Sequence, residues 1–155
     1  MRRISLMLAV LLCVLFPAAC SSGADTAPWT VEDGEAILNS GAFSDELEEL
    51  DLDTAWVLYQ LEGAGLERAS LTGGLCRRSA GATCQELTVL IFDTADSAQS
   101  AKEALESYVD SQIQSNRDYR PDQIHLLEGA WLEQRENTLL LAVASDLEAA
   151  QKAVS

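Results

Sequence analysis

The chain is poor in histidine and in positive charge: it has one His, and 10 Lys and Arg stand against 25 Asp and Glu. With His125 as the sole imidazole, neither a Ser/His/Asp nor a Cys/His arrangement can be assembled around a second base. No G-x-S-x-G, P-loop or H-E-x-x-H motif occurs either. Its position between Ile124 and Leu126 makes His125 a surface residue of a short helix. The deficit of basic residues argues against nucleic acid or anionic lipid as the partner of the folded part, and suits solubility and mutual repulsion between neighbouring copies. Beyond Phe16 no apolar run approaches the roughly 20 residues that cross a hydrocarbon layer. These absences point away from an enzyme, and nothing in the residue pattern calls for a cofactor or a metal.

What is present begins at the N-terminus. Met1-Arg2-Arg3 is a short cationic start. Ile4 to Phe16 follows as 13 residues that are apolar apart from Ser5, and Pro17-Ala18-Ala19 precedes Cys20. This is the layout of a signal peptide over 1–19, too short for a membrane span. Ala18-Ala19-Cys20 resembles the lipobox of bacterial lipoproteins, which implies a diacylglycerol on the Cys20 sulfur and cleavage just before it. Pro17 departs from that pattern, which usually has an aliphatic residue there. Two or three acyl chains would hold the protein at the membrane stably, facing outside the cytoplasm. Cleavage would leave 8 basic against 25 acidic residues, a net charge of −17. Residues 20–30 read as the lipidated cysteine and a flexible tether of small and polar residues, reaching at most about 35 Å. Residues 31–155 are then enough for one domain.

Along that domain, Val31 to Asn39 predicts a first helix. Asp45 to Asp53 holds six carboxylates in nine residues and is followed by the apolar patch Trp56 to Leu61, with helix slightly favoured over strand. Leu66 to Leu75 and Leu87 to Phe92 predict a strand pair, the second apolar at nearly every position and so central in a sheet. Thr94 or Asp93 caps a long helix to about Arg117, with Ala98, Ala101, Leu105, Tyr108 and Gln112 inward. Pro121 to Glu128 predicts a short helix, Ala130 to Gln134 and Thr138 to Ala144 a second hairpin. Ser145-Asp146-Leu147-Glu148 is a capping box opening a last helix. The expected fold is α+β: a four-stranded, mainly antiparallel sheet packed by helices on one face, in the order hairpin, helix, hairpin, helix.

Several of these pieces together resemble an uncharacterised family of bacterial lipoproteins, a domain of unknown function found mostly in clostridial-type Gram-positive bacteria. The resemblance rests on the lipidated Cys20, the acidic-leucine stretch Leu47 to Asp53, and Ile91-Phe92-Asp93 before an Ala-rich helix with Tyr108. Tyr119-Arg120-Pro121-Asp122-Gln123, Leu126-Leu127 and Val143-Ala144-Ser145-Asp146 complete it, so that it covers Val31 to Val154. It implies no activity, ligand or catalytic residue.

Cys76 and Cys84 stand outside that resemblance. They flank a polar stretch in an exported chain and read as a disulfide closing a hairpin, with a metal pair or a redox dithiol as the alternatives. Arg77 and Arg78 would then sit at the hairpin tip, as a solubilising pair or a small anion contact. Asp51, Asp53 and Glu62 fall at the first, third and twelfth places of a calcium loop, but Ala55 and Trp56 occupy places that need a ligand and a glycine; a solvated acidic face is the better reading. The expected function is that of a membrane-anchored, extracytoplasmic binding or accessory module with a protein partner near the bilayer. The alternative is a small-molecule or glycan-binding protein, or a hydrolase using paired carboxylates.

Overall fold

A computed structural model describes residues 27–155 apart from Ala82. The signal-like segment, Cys20 and most of the tether lie outside the described residues. In chain order the elements are α1 (Val31–Leu38), β1 (Leu47–Leu50), α2 (Leu52–Leu58), β2 (Leu71–Ser79), β3 (Glu86–Phe92), α3 (Ala95–Asn116), α4 (Ile124–Glu128), β4 (Trp131–Arg135), β5 (Thr138–Val143) and α5 (Leu147–Lys152). Single 3-10 turns cover Leu61–Ala64, Arg68–Ser70 and Pro121–Gln123. The strands form one antiparallel sheet in the order β1-β2-β3-β5-β4.

The fold is α+β, with two corrections to the expected architecture. The sheet has five strands, because Leu47–Leu50 pairs with the far end of β2, Glu48 opposite Arg78 and Glu49 opposite Arg77. Helices also cover both faces rather than one. On one face Leu90, Phe92, Leu139, Leu141 and Val143 pack with Trp56, Tyr59, Ala98, Ala101, Leu105 and Leu127 of the α2, α3 and α4 side. On the other, Leu87, Val89, Leu140 and Ala142 pack with Trp29, Ile37 and Ala150, beneath α1 and α5. A strand apolar on both of its faces needs cover on both sides, and β5 is buried throughout its six residues.

The chain enters this body earlier than the tether reading had it. Trp29 is buried: its N–H donates to Thr138 Oγ1 at 2.8 Å and its indole to the Glu133 carbonyl. Its ring packs edge-on to Trp131 at 5.4 Å, with the Arg135 guanidinium 3.5 Å from its centroid. Thr30 then caps α1 through a full capping box with Asp33. At α3, Thr94 accepts from the Ser97 N–H as expected. At α5 the cap is Asp146, which accepts from the Ala149 N–H; Ser145 instead donates its hydroxyl to the Ala42 carbonyl. His125 is exposed on α4.

Strand β2 runs from Leu71 through Ser79, so Gly73 and Gly74 lie inside it, next to a register shift, and Cys76, Arg77 and Arg78 are strand residues. This overturns the disulfide. Cys76 pairs across to Thr88, four residues beyond Cys84 along the other strand. Four strand residues span roughly 13 Å, whereas a disulfide needs Cα atoms within about 7 Å. Both thiols are free and buried. Nor do Arg77 and Arg78 form a hairpin tip: Arg77 is paired with Glu49 at 2.6 Å, and Arg78 turns to the opposite face of the sheet, onto Glu86.

Candidate functional site: a groove over a buried carboxylate

Glu86 opens β3 on the α3 side of the sheet and is only 2 % exposed. A carboxylate so placed requires partners, since burying it bare costs several kcal/mol. It has three. Its cross-strand neighbour Arg78 donates from Nε to Oε2 at 3.0 Å, Tyr108 of α3 donates its hydroxyl to Oε2 at 2.8 Å, and Tyr59 at the end of α2 donates to Oε1. Thr88 and Cys76, facing each other on β3 and β2, extend the network: Thr88 Oγ1 lies 2.7 Å from the Tyr59 oxygen and donates to Cys76 Sγ at 3.2 Å. No buried polar side-chain atom is left without a partner among the described residues.

The electrostatics follow from that burial. Desolvation raises the Glu86 pKa above its ordinary value, against the opposing pull of Tyr59, Arg78 and Tyr108. Desolvation first and the Glu86 charge second hold both tyrosine hydroxyls far above their usual range, so they stay protonated donors. Burial likewise raises the Cys76 thiol, leaving it an unreactive, protonated core group.

The two tyrosine rings meet edge to face, centroids 5.0 Å apart. Above them lies an open groove of about 630 Å³ between α3 and the segment that leaves α2. One wall is Leu58, Gln60, Gly63 and Ala64; the other is the face of α3 that carries Ser100, Glu103, Ser107, Ser111 and Gln112. Its size falls within the roughly 300–1,000 Å³ typical of small-molecule clefts. Ser107 donates to the Glu103 carbonyl, and Glu103 accepts from Gln99. The side chains of Gln60, Ser100, Ser111 and Gln112 have no hydrogen-bond partner among the described residues. Gln60 holds a left-handed backbone, φ +54°, which turns the chain from α2 into the 3-10 turn along the groove's edge.

Of the residues singled out from sequence, Tyr108 and Gln112 reach this groove, and Arg78 reaches the carboxylate beneath it. The acidic stretch does not come together as a site. Asp51 caps α2 at the Thr54 N–H, Asp53 pairs with Arg68 at 2.7 Å, and Asp45 accepts from Ser79 and Thr83. No group of three or more metal-binding side chains occurs among the described residues. Glu103 is the only carboxylate in the groove lining, so no pair of acids faces across it. Reasoning from sequence missed Glu86 and Tyr59. The available signal was an acid opening a mostly apolar strand, eight residues after Arg77-Arg78.

Residues 43–144 match the family model described as a domain of unknown function, DUF4358. The chain belongs to that family. The match covers about two thirds of the chain and includes all five strands, both groove walls and every partner of Glu86. Helices α1 and α5, which cover the opposite face of the sheet, lie outside it. The part of this DUF4358 protein that the family model covers is therefore the sheet with α2, α3 and α4. No curated protein and no solved structure matches the chain.

Proposed function

We propose that this chain is a bacterial lipoprotein of the clostridial type, exported and held by a lipid on Cys20 at the outer face of the cell membrane, where its domain acts as a binding module. Binding takes place in the groove between α2 and α3. The observation that carries the binding role is the groove of about 630 Å³ itself, walled by the polar side chains Gln60, Ser100, Ser111 and Gln112 around tyrosines locked from below by Glu86. A rigid floor with free polar groups above it favours recognition, because little ordering is left to be done on binding. Anchoring is supported by the signal-like residues 1–19 with Ala18-Ala19-Cys20. No helix among the described residues is long and apolar enough to cross a membrane. Because Trp29 is already buried against the sheet, only the nine residues from Cys20 to Ala27-Pro28 could act as tether. Their reach is about 30 Å at most, which keeps the domain close to the membrane.

Expression of wild type and Cys20→Ala with radiolabelled palmitate tests the anchor. Wild type is expected in the membrane fraction and labelled; the variant is expected unlabelled and released. A variant that stays membrane-bound, beside a wild type that takes up no label, would refute it.

A further inference from the structure

Resting on the reading of the α2–α3 groove as a binding site, we propose that its ligand is an uncharged, polyhydroxylated molecule, a segment of neutral glycan. The lining carries no Lys, Arg or His, and its one acid, Glu103, stands exposed and already accepts a hydrogen bond from Gln99. Arg78, which reaches the carboxylate beneath the floor, is committed to Glu86, and Lys102 of α3 pairs with Glu106. A phosphate, sulphate or carboxylate would thus enter a strongly acidic chain without a counter-charge. A purely apolar ligand would cover the free hydroxyl and amide groups of Ser100, Ser111, Gln60 and Gln112 without replacing their water, at a cost for each.

Hydroxyls and primary amides each donate and accept, and so do the hydroxyls of a sugar; the two sets match without any fixed charge. The half-buried ring of Tyr108 adds an aromatic surface for the C–H face of a pyranose. Gly63 leaves the groove open on its outer wall: a Cβ added there would meet nothing within 4 Å, and its backbone is not left-handed. The absence of a side chain at Gly63 is therefore not required by packing, and it leaves free volume on the ligand's side.

The test uses the full chain in detergent, passed over immobilised maltotriose, cellotriose and chitotriose. Sulphated maltotriose and the cationic glucosamine trimer serve as comparisons. Gly63→Phe and Ser111→Phe fill the groove from opposite walls at exposed positions, and thermal melting identifies any variant that fails to fold. The expected result is retention on at least one neutral trisaccharide, weakened at least tenfold in both filled variants and weaker for the sulphated chain. Retention confined to the sulphated or the cationic chain, but abolished by filling, would overturn the neutral-glycan assignment and leave the groove as the binding site. Failure to bind any of these sugars, or binding that ignores both substitutions, would overturn the assignment and count against the groove reading with it.

Discussion

Glu86→Ala is expected to lower the stability of the domain by about 3–5 kcal/mol near neutral pH, a fall in Tm of roughly 10–15 °C for a domain of this size. The substitution takes the acceptor from two tyrosine hydroxyls and the counter-ion from a half-buried arginine at once, and it leaves a void beneath the groove. Glu86→Gln keeps the volume and one acceptor oxygen, so its cost is smaller, and it isolates the effect of charge. Burial sets the folded pKa of Glu86 above its ordinary 4.5. As pH rises past that ordinary value the unfolded chain gives up its proton before the folded one does. Stability due to this group therefore falls between 4.5 and the raised folded value and is level above it. In urea titrations between pH 3 and 8, the stability difference between wild type and Glu86→Gln should shrink as pH rises through that window. A difference that grew with pH would mean a carboxyl held below its ordinary range, in conflict with desolvation as the dominant effect.

Gly74→Ala is expected to cost a similar amount, about 3–5 kcal/mol, for a reason confined to the backbone. Gly74 has φ +148°, and a Cβ there would lie 2.2 Å from the Val89 carbonyl oxygen. That oxygen belongs to the central strand and cannot yield unless β2 and β3 part. Gly63→Ala, which meets open space, should change stability by no more than about 0.5 kcal/mol. Chemical denaturation of the two variants side by side checks this. A loss under about 1 kcal/mol at Gly74 would show that the two backbones do not approach so closely.

The elements that could be read from sequence are those specified by their own residues. Helix α3 carries its cap at Thr94 and its apolar spacing at Ala98, Ala101 and Leu105, and all three side chains are buried where that spacing puts them. Strands β3 and β5 were legible because most of their positions are apolar. That same pattern demanded a second layer of helices, but α1 and α5 are short, and neither advertises which face it covers. Strand β1 was illegible for a physical reason: Leu-Glu-Glu-Leu has no alternation, and its strand form comes from pairing with the far end of β2, where Arg77 meets Glu49. The misplaced disulfide has the same root, since without the register Cys76 looks like the start of a loop rather than the middle of a strand. The site itself was half visible. Tyr108 sits on the inward face of α3 by periodicity alone. Its meeting with Tyr59 over Glu86 depends on where three elements cross, which no local pattern encodes.

The central claim is that the α2–α3 groove is where this domain meets its ligand. Amide shift mapping of the isotopically labelled full chain, titrated with the neutral trisaccharides, tests it most directly. The account predicts that the largest shifts fall in residues 58–64 and 100–112, on the two walls of the groove. Shifts centred instead on the acidic strand 47–50 or on the sheet edge 131–135 would contradict it.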